Sequence, residues 1–157
     1  PDRTVTLLLE GIGVSNGMGL TPDRKQLYYT DTGAGKIYLF DYDRATGDLS
    51  NQRVFVDAPG EEGGPDGMTV DAEGCVWSAR WGGSCLVRYR PDGTEERSIE
   101  FPAKKVSSVI FGGPDYADIY VTTAGGDNKA EDGPGAGALY RLQLGIQGVP
   151  EYPSRVR

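Results

Sequence analysis

Histidine is absent from the 157 residues. That lack removes Ser-His-Asp and Cys-His catalysis, and it removes histidine-ligated zinc. Any metal must be held by oxygen ligands, which suits hard cations such as calcium, magnesium or manganese. Cysteine is nearly absent too, with only Cys75 and Cys85. Trp81-Gly82-Gly83-Ser84 between them reads as a hairpin turn, which puts Cys85 beside Arg80 and Cys75 beside Arg90. At about 3.3 Å per strand residue those thiols stand more than ~10 Å apart, beyond disulfide reach. Two unpaired thiols point to a reducing compartment. There is no run of about 18 apolar residues, no charged-then-apolar leader and no Asn-x-Ser/Thr acceptor, so the expected location is the cytoplasm. Cationic excess is also missing. A net charge of -7 argues against nucleic acid and against an anionic membrane surface as partners.

What the chain does have is glycine, 24 residues of it, with 10 prolines and nine tyrosines. That mixture suits short strands joined by tight turns and suits helices poorly. The decisive signal is an internal repeat. Asn16-Gly17-Met18-Gly19-Leu20, a polar turn and Leu27-Tyr28-Tyr29-Thr30-Asp31 form the first copy. Asp66-Gly67-Met68-Thr69-Val70, the turn Asp71-Ala72-Glu73-Gly74 and Val76-Trp77-Ser78-Ala79 form the second. Ser107-Ser108-Val109-Ile110-Phe111, the turn Gly112-Gly113-Pro114-Asp115 and Ile119-Tyr120-Val121-Thr122 form the third. Asn16, Asp66 and Ser107 occupy matching positions, spaced by about 50 and 41 residues. Such periods are the mark of β-propeller blades.

Each copy continues into an alternating strand: residues 36–42, 86–90 and 138–142. In the first two copies a turn and an outer strand follow, near residues 50–56 and 95–101. The expected fold is therefore all-β, about three four-stranded blades across one partial propeller domain, residues 1–157. Residues 1–12, with Thr4 to Leu9 at their heart, read as the outer strand of a preceding blade. The blades then fall at about 13–62, 63–105 and 106–150. Helix content should be near zero. The acidic, glycine-rich stretch from Gly125 to Gly137, with Asp127, Asn128, Glu131 and Asp132, reads as flexible surface ahead of the alternative, a lid or rim of a site.

Innermost strands of a propeller converge on one channel, so Asn16 and Asp66 become neighbours in space. An amide and a carboxylate at a channel mouth can hold a divalent cation, although Asn and Asp beside glycine also simply make turns. Asp31 reads as a satisfied turn carboxylate. Asp41-Tyr42-Asp43 lacks the glycine and glutamate spacing of a calcium loop. Gly11-Ile12-Gly13 leads into Thr21-Pro22-Asp23 where a nucleotide-binding helix would have to run. Trp77 reads as core, and Trp81 as a rim contact.

Ser15-Asn16-Gly17-Met18, Tyr29-Thr30-Asp31, Phe40-Asp41-Tyr42-Asp43 and Pro65-Asp66-Gly67-Met68-Thr69-Val70-Asp71-Ala72-Glu73-Gly74 resemble, in order, the gluconolactonase/regucalcin (senescence marker protein) family. Phe111-Gly112-Gly113, Tyr120-Val121-Thr122 and Gly137-Ala138-Leu139-Tyr140-Arg141 continue the match, which runs from the middle of the family pattern to its C-terminal end. The resemblance implies a six-bladed propeller holding one divalent ion through a Glu, an Asn and an Asp. Asn16 and Asp66 match the last two. The Glu, and the family's Arg and Asn for substrate hydroxyls, have no counterpart here. The implied activity is hydrolysis of a sugar-type lactone with Asp66 as metal ligand and general base, Asn16 as metal ligand, and calcium as the cation, with manganese, magnesium or zinc as alternatives. The rival expectations are a non-catalytic propeller binding calcium or a partner, and a half-propeller needing a complementary chain. Three blades leave two open sheet faces, so the missing half or a second chain is an expected partner.

Overall fold

Apolar and polar residues alternate through the third strand of each repeat, and in the computed structural model the repeats become three stacked antiparallel sheets. The structure describes residues 5–58, 63–126 and 129–150. The first sheet has strand order β1-β2-β3-β4, formed by Ser15–Leu20, Gln26–Asp31, Lys36–Tyr42 and Leu49–Asp57. The second repeats it with β5 Gly64–Val70, β6 Val76–Trp81, β7 Cys85–Tyr89 and β8 Glu95–Glu100. The third contains β9 Val106–Gly112, β10 Asp118–Thr123 and β11 Leu139–Gln143. Each sheet meanders outward from its first strand, as blades do, and the first strands β1, β5 and β9 pack against one another in series.

Burial follows the alternation. Tyr28, Ile37 and Leu39 of the first sheet close on Met68, Val87 and Tyr89 of the second. On the other face, Trp77, Ala79 and Leu86 close on Val109, Ile119 and Val121 of the third. The second sheet is thus buried on both faces. The outer two each cover only one, so Met18 and Val54 stay exposed on the first sheet, as do Ile110 and Leu139 on the third. A buried polar knot ties the second sheet together. The Asp71 carboxylate accepts hydrogen bonds from the Trp77 indole N–H (2.9 Å) and from Nε of Arg88 (2.8 Å), both buried. Arg88 also pairs with Glu73 and Glu96, and its guanidinium stands 5.7 Å from the Trp77 ring.

Several expectations are corrected. Of the outer strand expected within residues 1–12, the described part, residues 5–12, has no strand, and Thr4 lies outside the described residues. The third sheet has three strands rather than four among the described residues. After β11 the chain turns back beneath the second sheet, where Gly148 bridges to Asp71 and Gln147 O accepts from the Ala72 N–H. The loop from Gly125 contains one turn of helix, α1 (Lys129–Asp132), where no helix was expected. It is not merely flexible surface, because Asp132 is buried and bonded to Lys105 Nζ at 2.9 Å. Asp127 and Asn128 lie outside the described residues. Cys75 and Cys85 are free thiols; Cys75 is buried and Cys85 half-buried. Among the described residues no helix is long and apolar enough to cross a membrane.

Candidate functional site

A glycine inside a strand often marks a bulge or a close backbone approach, and Gly17 and Gly67 mark both. Along β1, Ser15 pairs with Asp31 and Met18 with Tyr29, so three steps on β1 face two on β2. Along β5, Pro65 pairs with Arg80 and Met68 with Ser78, the same excess of one. Each bulge falls on the pair Asn16-Gly17 or Asp66-Gly67. A bulge turns a side chain out of the regular pleat. The glycine then lets the next blade come close: a Cβ on Gly17 would lie 2.5 Å from Met68 N and 2.6 Å from Asp66 O. The bulge aims the donor, and the glycine brings the next donor up to it.

The result is contact between the two predicted residues. The Asn16 side chain and the Gly67 N–H both favour the ionised form of the Asp66 carboxylate. Asn16 Nδ2 donates to Thr32 Oγ1 at 3.2 Å, and Thr32 Oγ1 donates to Pro65 O at 2.6 Å. With Nδ2 turned to Thr32, Oδ1 is the Asn16 atom left to accept. Asp66 is 7% exposed. Burial pushes its carboxyl above the usual range, and the bonds from Asn16 and Gly67 offset this only in part. No ion pair reaches Asp66 among the described residues, in contrast to buried Asp71, which has Arg88. A buried carboxylate without a counter-charge is costly, and a cation beside it would relieve that cost.

The donor set fits a hard cation in kind, since it is an amide oxygen and a carboxylate. It is incomplete in number: calcium takes six to eight oxygens, and the described residues hold no group of three or more His, Cys, Asp or Glu side chains. Thr30, opposite the β1 bulge in register, is fully buried, and its Oγ1 has no hydrogen-bond partner in the structure.

The other candidates separate cleanly. Asp31 is a turn carboxylate, accepting from the backbone N–H groups of Gly13, Val14 and Ala34. Burial opposes ionisation there, but those bonds outweigh it and its carboxyl is held below the usual value. Asp41 and Tyr42 end β3, and Asp43 begins a turn that Gly47 closes. Trp77 is fully buried core, whereas Trp81 is 42% exposed with Lys105 Nζ at 5.7 Å from its ring. The feature missed in the sequence is Thr32. It pins Asn16 to the Pro65 backbone from just beyond the end of β2, and only its proximity to Asp31 could have drawn notice.

Propeller blades with an amide–carboxylate pair at the mouth of the innermost strands define the class. The SMP-30/Gluconolactonase/LRE-like region matches residues 1–125, and the chain belongs to that family. Pentonolactonase XacC of Haloferax volcanii is 49% identical over 99% of this chain and 56% of its own length. Regucalcin of Xenopus laevis is 38% identical over 95% of this chain and 52% of its own. Among solved structures, a calcium-binding protein, regucalcin, from Agrobacterium tumefaciens superimposes with a TM-score of 0.89 at 32% identity, covering 98% of this chain and 53% of that one. The chain thus spans about half the length of these relatives.

Proposed function

We propose that this chain supplies three consecutive blades of a propeller lactonase, the remaining blades coming from further residues of the same polypeptide or from a second chain. The substrate class is a sugar-type lactone, and the cofactor is a divalent cation, calcium first. The observation that carries the reading is the contact between Asn16 and buried Asp66, which lacks a counter-charge. The names of the relatives support it: one is a pentonolactonase and another is described as calcium-binding.

In this reading Asn16 Oδ1 and the Asp66 carboxylate hold the cation, with the other ligands supplied by the missing blades and water. A bound cation contributes Lewis-acid polarisation of the lactone carbonyl. Asp66 takes the proton from the attacking water. The Asn16 amide holds the carboxylate in one orientation, and Thr32 holds the amide. Burial of Asp66 keeps bulk water from solvating the carboxylate and weakening it as a base.

The test is lactone hydrolysis by the ring-complete protein, followed by pH indicator with and without chelator. Turnover should stop with chelator and return with calcium or manganese. Asp66→Ala should lower kcat at least 10²-fold, the usual worth of a general base. Retained activity in that variant would sink the assignment.

A further inference from the structure

Asn16 and Asp66 hold matching places in successive copies of the repeat, but they present themselves to a cation differently. A carboxylate offers an oxygen whichever way it is turned, whereas an amide offers an oxygen on one side and two N–H donors on the other. Asn16 must therefore be turned the right way, and Asp66 need not be. The turn after the second strand carries a matching difference. Ser15 pairs with Asp31, Pro65 with Arg80 and Val106 with Thr123, which makes the next residues, Thr32, Trp81 and Ala124, counterparts. Of the three, only the one beside the amide has a hydroxyl.

That hydroxyl has a fixed polarity. Thr32 Oγ1 lies 2.6 Å from Pro65 O and 3.2 Å from Asn16 Nδ2. A carbonyl oxygen cannot donate, so the one hydroxyl hydrogen is committed to Pro65 and Oγ1 can only accept from Asn16. Of the two amide atoms only Nδ2 can donate, which turns Oδ1 away from Thr32. The hydroxyl is itself held in place. The Thr32 N–H donates to Val14 O at 3.0 Å, and Thr32 O accepts from the Gly35 N–H at 3.2 Å. Its methyl sits over Gly64, where a Cβ would lie 3.1 Å from Thr32 Cγ2, and a β-branched side chain has few rotamers to escape into. We infer that Thr32 is a positioning residue: its hydroxyl, committed to the Pro65 carbonyl, selects Oδ1 as the Asn16 atom free to ligate a cation. This rests on the reading of Asn16 and Asp66 as ligands and deepens it by naming what chooses the ligating atom.

The experiment titrates the ring-complete protein with calcium by calorimetry. Thr32→Val keeps the shape and removes the hydroxyl, and should raise the calcium Kd about 10-fold, as loss of an outer-shell partner does. Thr32→Ser keeps the hydroxyl and should stay within about 3-fold of wild type, well short of that loss. In an Asn16→Ala background, Thr32→Val should change Kd less than about 2-fold, because no amide remains to be turned. Thr32→Ala serves the same comparisons if Thr32→Val does not fold. An unchanged Kd in Thr32→Val, beside a weakened Asn16→Ala, would overturn the inference and leave the ligand reading intact. So would a full 10-fold loss that persists in the Asn16→Ala background, which marks a purely structural role. Calcium binding by Asn16→Ala equal to wild type would overturn both.

Discussion

Asp66 and Asp71 are both buried carboxylates five positions apart, and they make opposite demands. Asp71 is satisfied by Arg88, the Trp77 indole and the backbone N–H groups of Glu73 and Cys75. Removing one partner of such a buried pair costs about 3–5 kcal/mol. Arg88→Ala should therefore lower stability by that order in urea titration, with the buried carboxylate left behind as the cause. Among the described residues Asp66 has no ion-pair partner, and burial raises its carboxyl, with Asn16 and the Gly67 N–H offsetting this in part. The sign follows: its contribution is fully favourable below the unfolded value of 3.8 and is lost as pH rises through the raised folded value. At neutral pH, ionised Asp66 opposes folding until a cation joins it. Asp66→Asn should thus be at least as heat-stable as wild type in chelator at pH 7, and should lose the rise in melting temperature that calcium confers on wild type. A calcium-induced rise that survives in Asp66→Asn would argue against this residue as ligand.

Among the elements, the first strand of each blade sets the site. Gly17 and Gly67 are needed because the next inner strand arrives within 2.5–2.9 Å of where a Cβ would be, and mostly with backbone atoms. Gly17→Ala should push β1 from β5, costing about 1–3 kcal/mol as an overpacked contact does. It should also weaken calcium binding, because the Asn16–Asp66 contact depends on that approach. Calorimetric melting and calcium titration check both parts. The repeat made these strands legible in the sequence, down to the residues that meet. The bulges were not read, because one extra residue in a ladder depends on the partner strand's register. Nor was the fate of the last element. Nothing in Leu144 to Pro150 announces that the chain will cross beneath the second sheet instead of adding an outer strand, since the choice rests on the distant contacts of Gly148 with Asp71 and Tyr116.

For the whole molecule, three sheets bury two interfaces and leave two faces open. The isolated chain should bind a hydrophobic dye or self-associate, and completion of the ring should abolish both; light scattering reads the difference. Acid should loosen the second sheet from its surface inward. Glu96 is held at about 2 by its bond to Arg97, with desolvation opposing and Arg88 adding to the lowering. Its contribution is present above the unfolded value of 4.5 and fades as pH falls through about 2. The melting temperature of Glu96→Gln should therefore lie below wild type near neutrality and converge on it as pH falls across that window.

By itself the sequence determined the blades, their order, and the two residues that would converge, because period, alternation and turn glycines are local properties that survive without coordinates. It also kept histidine-based chemistry out of these 157 residues. Only the tertiary structure decided which carboxylate is compensated and which is not: Asp66 and Asp71 sit in one short segment, and their difference lies in whether a cationic side chain from another strand reaches them.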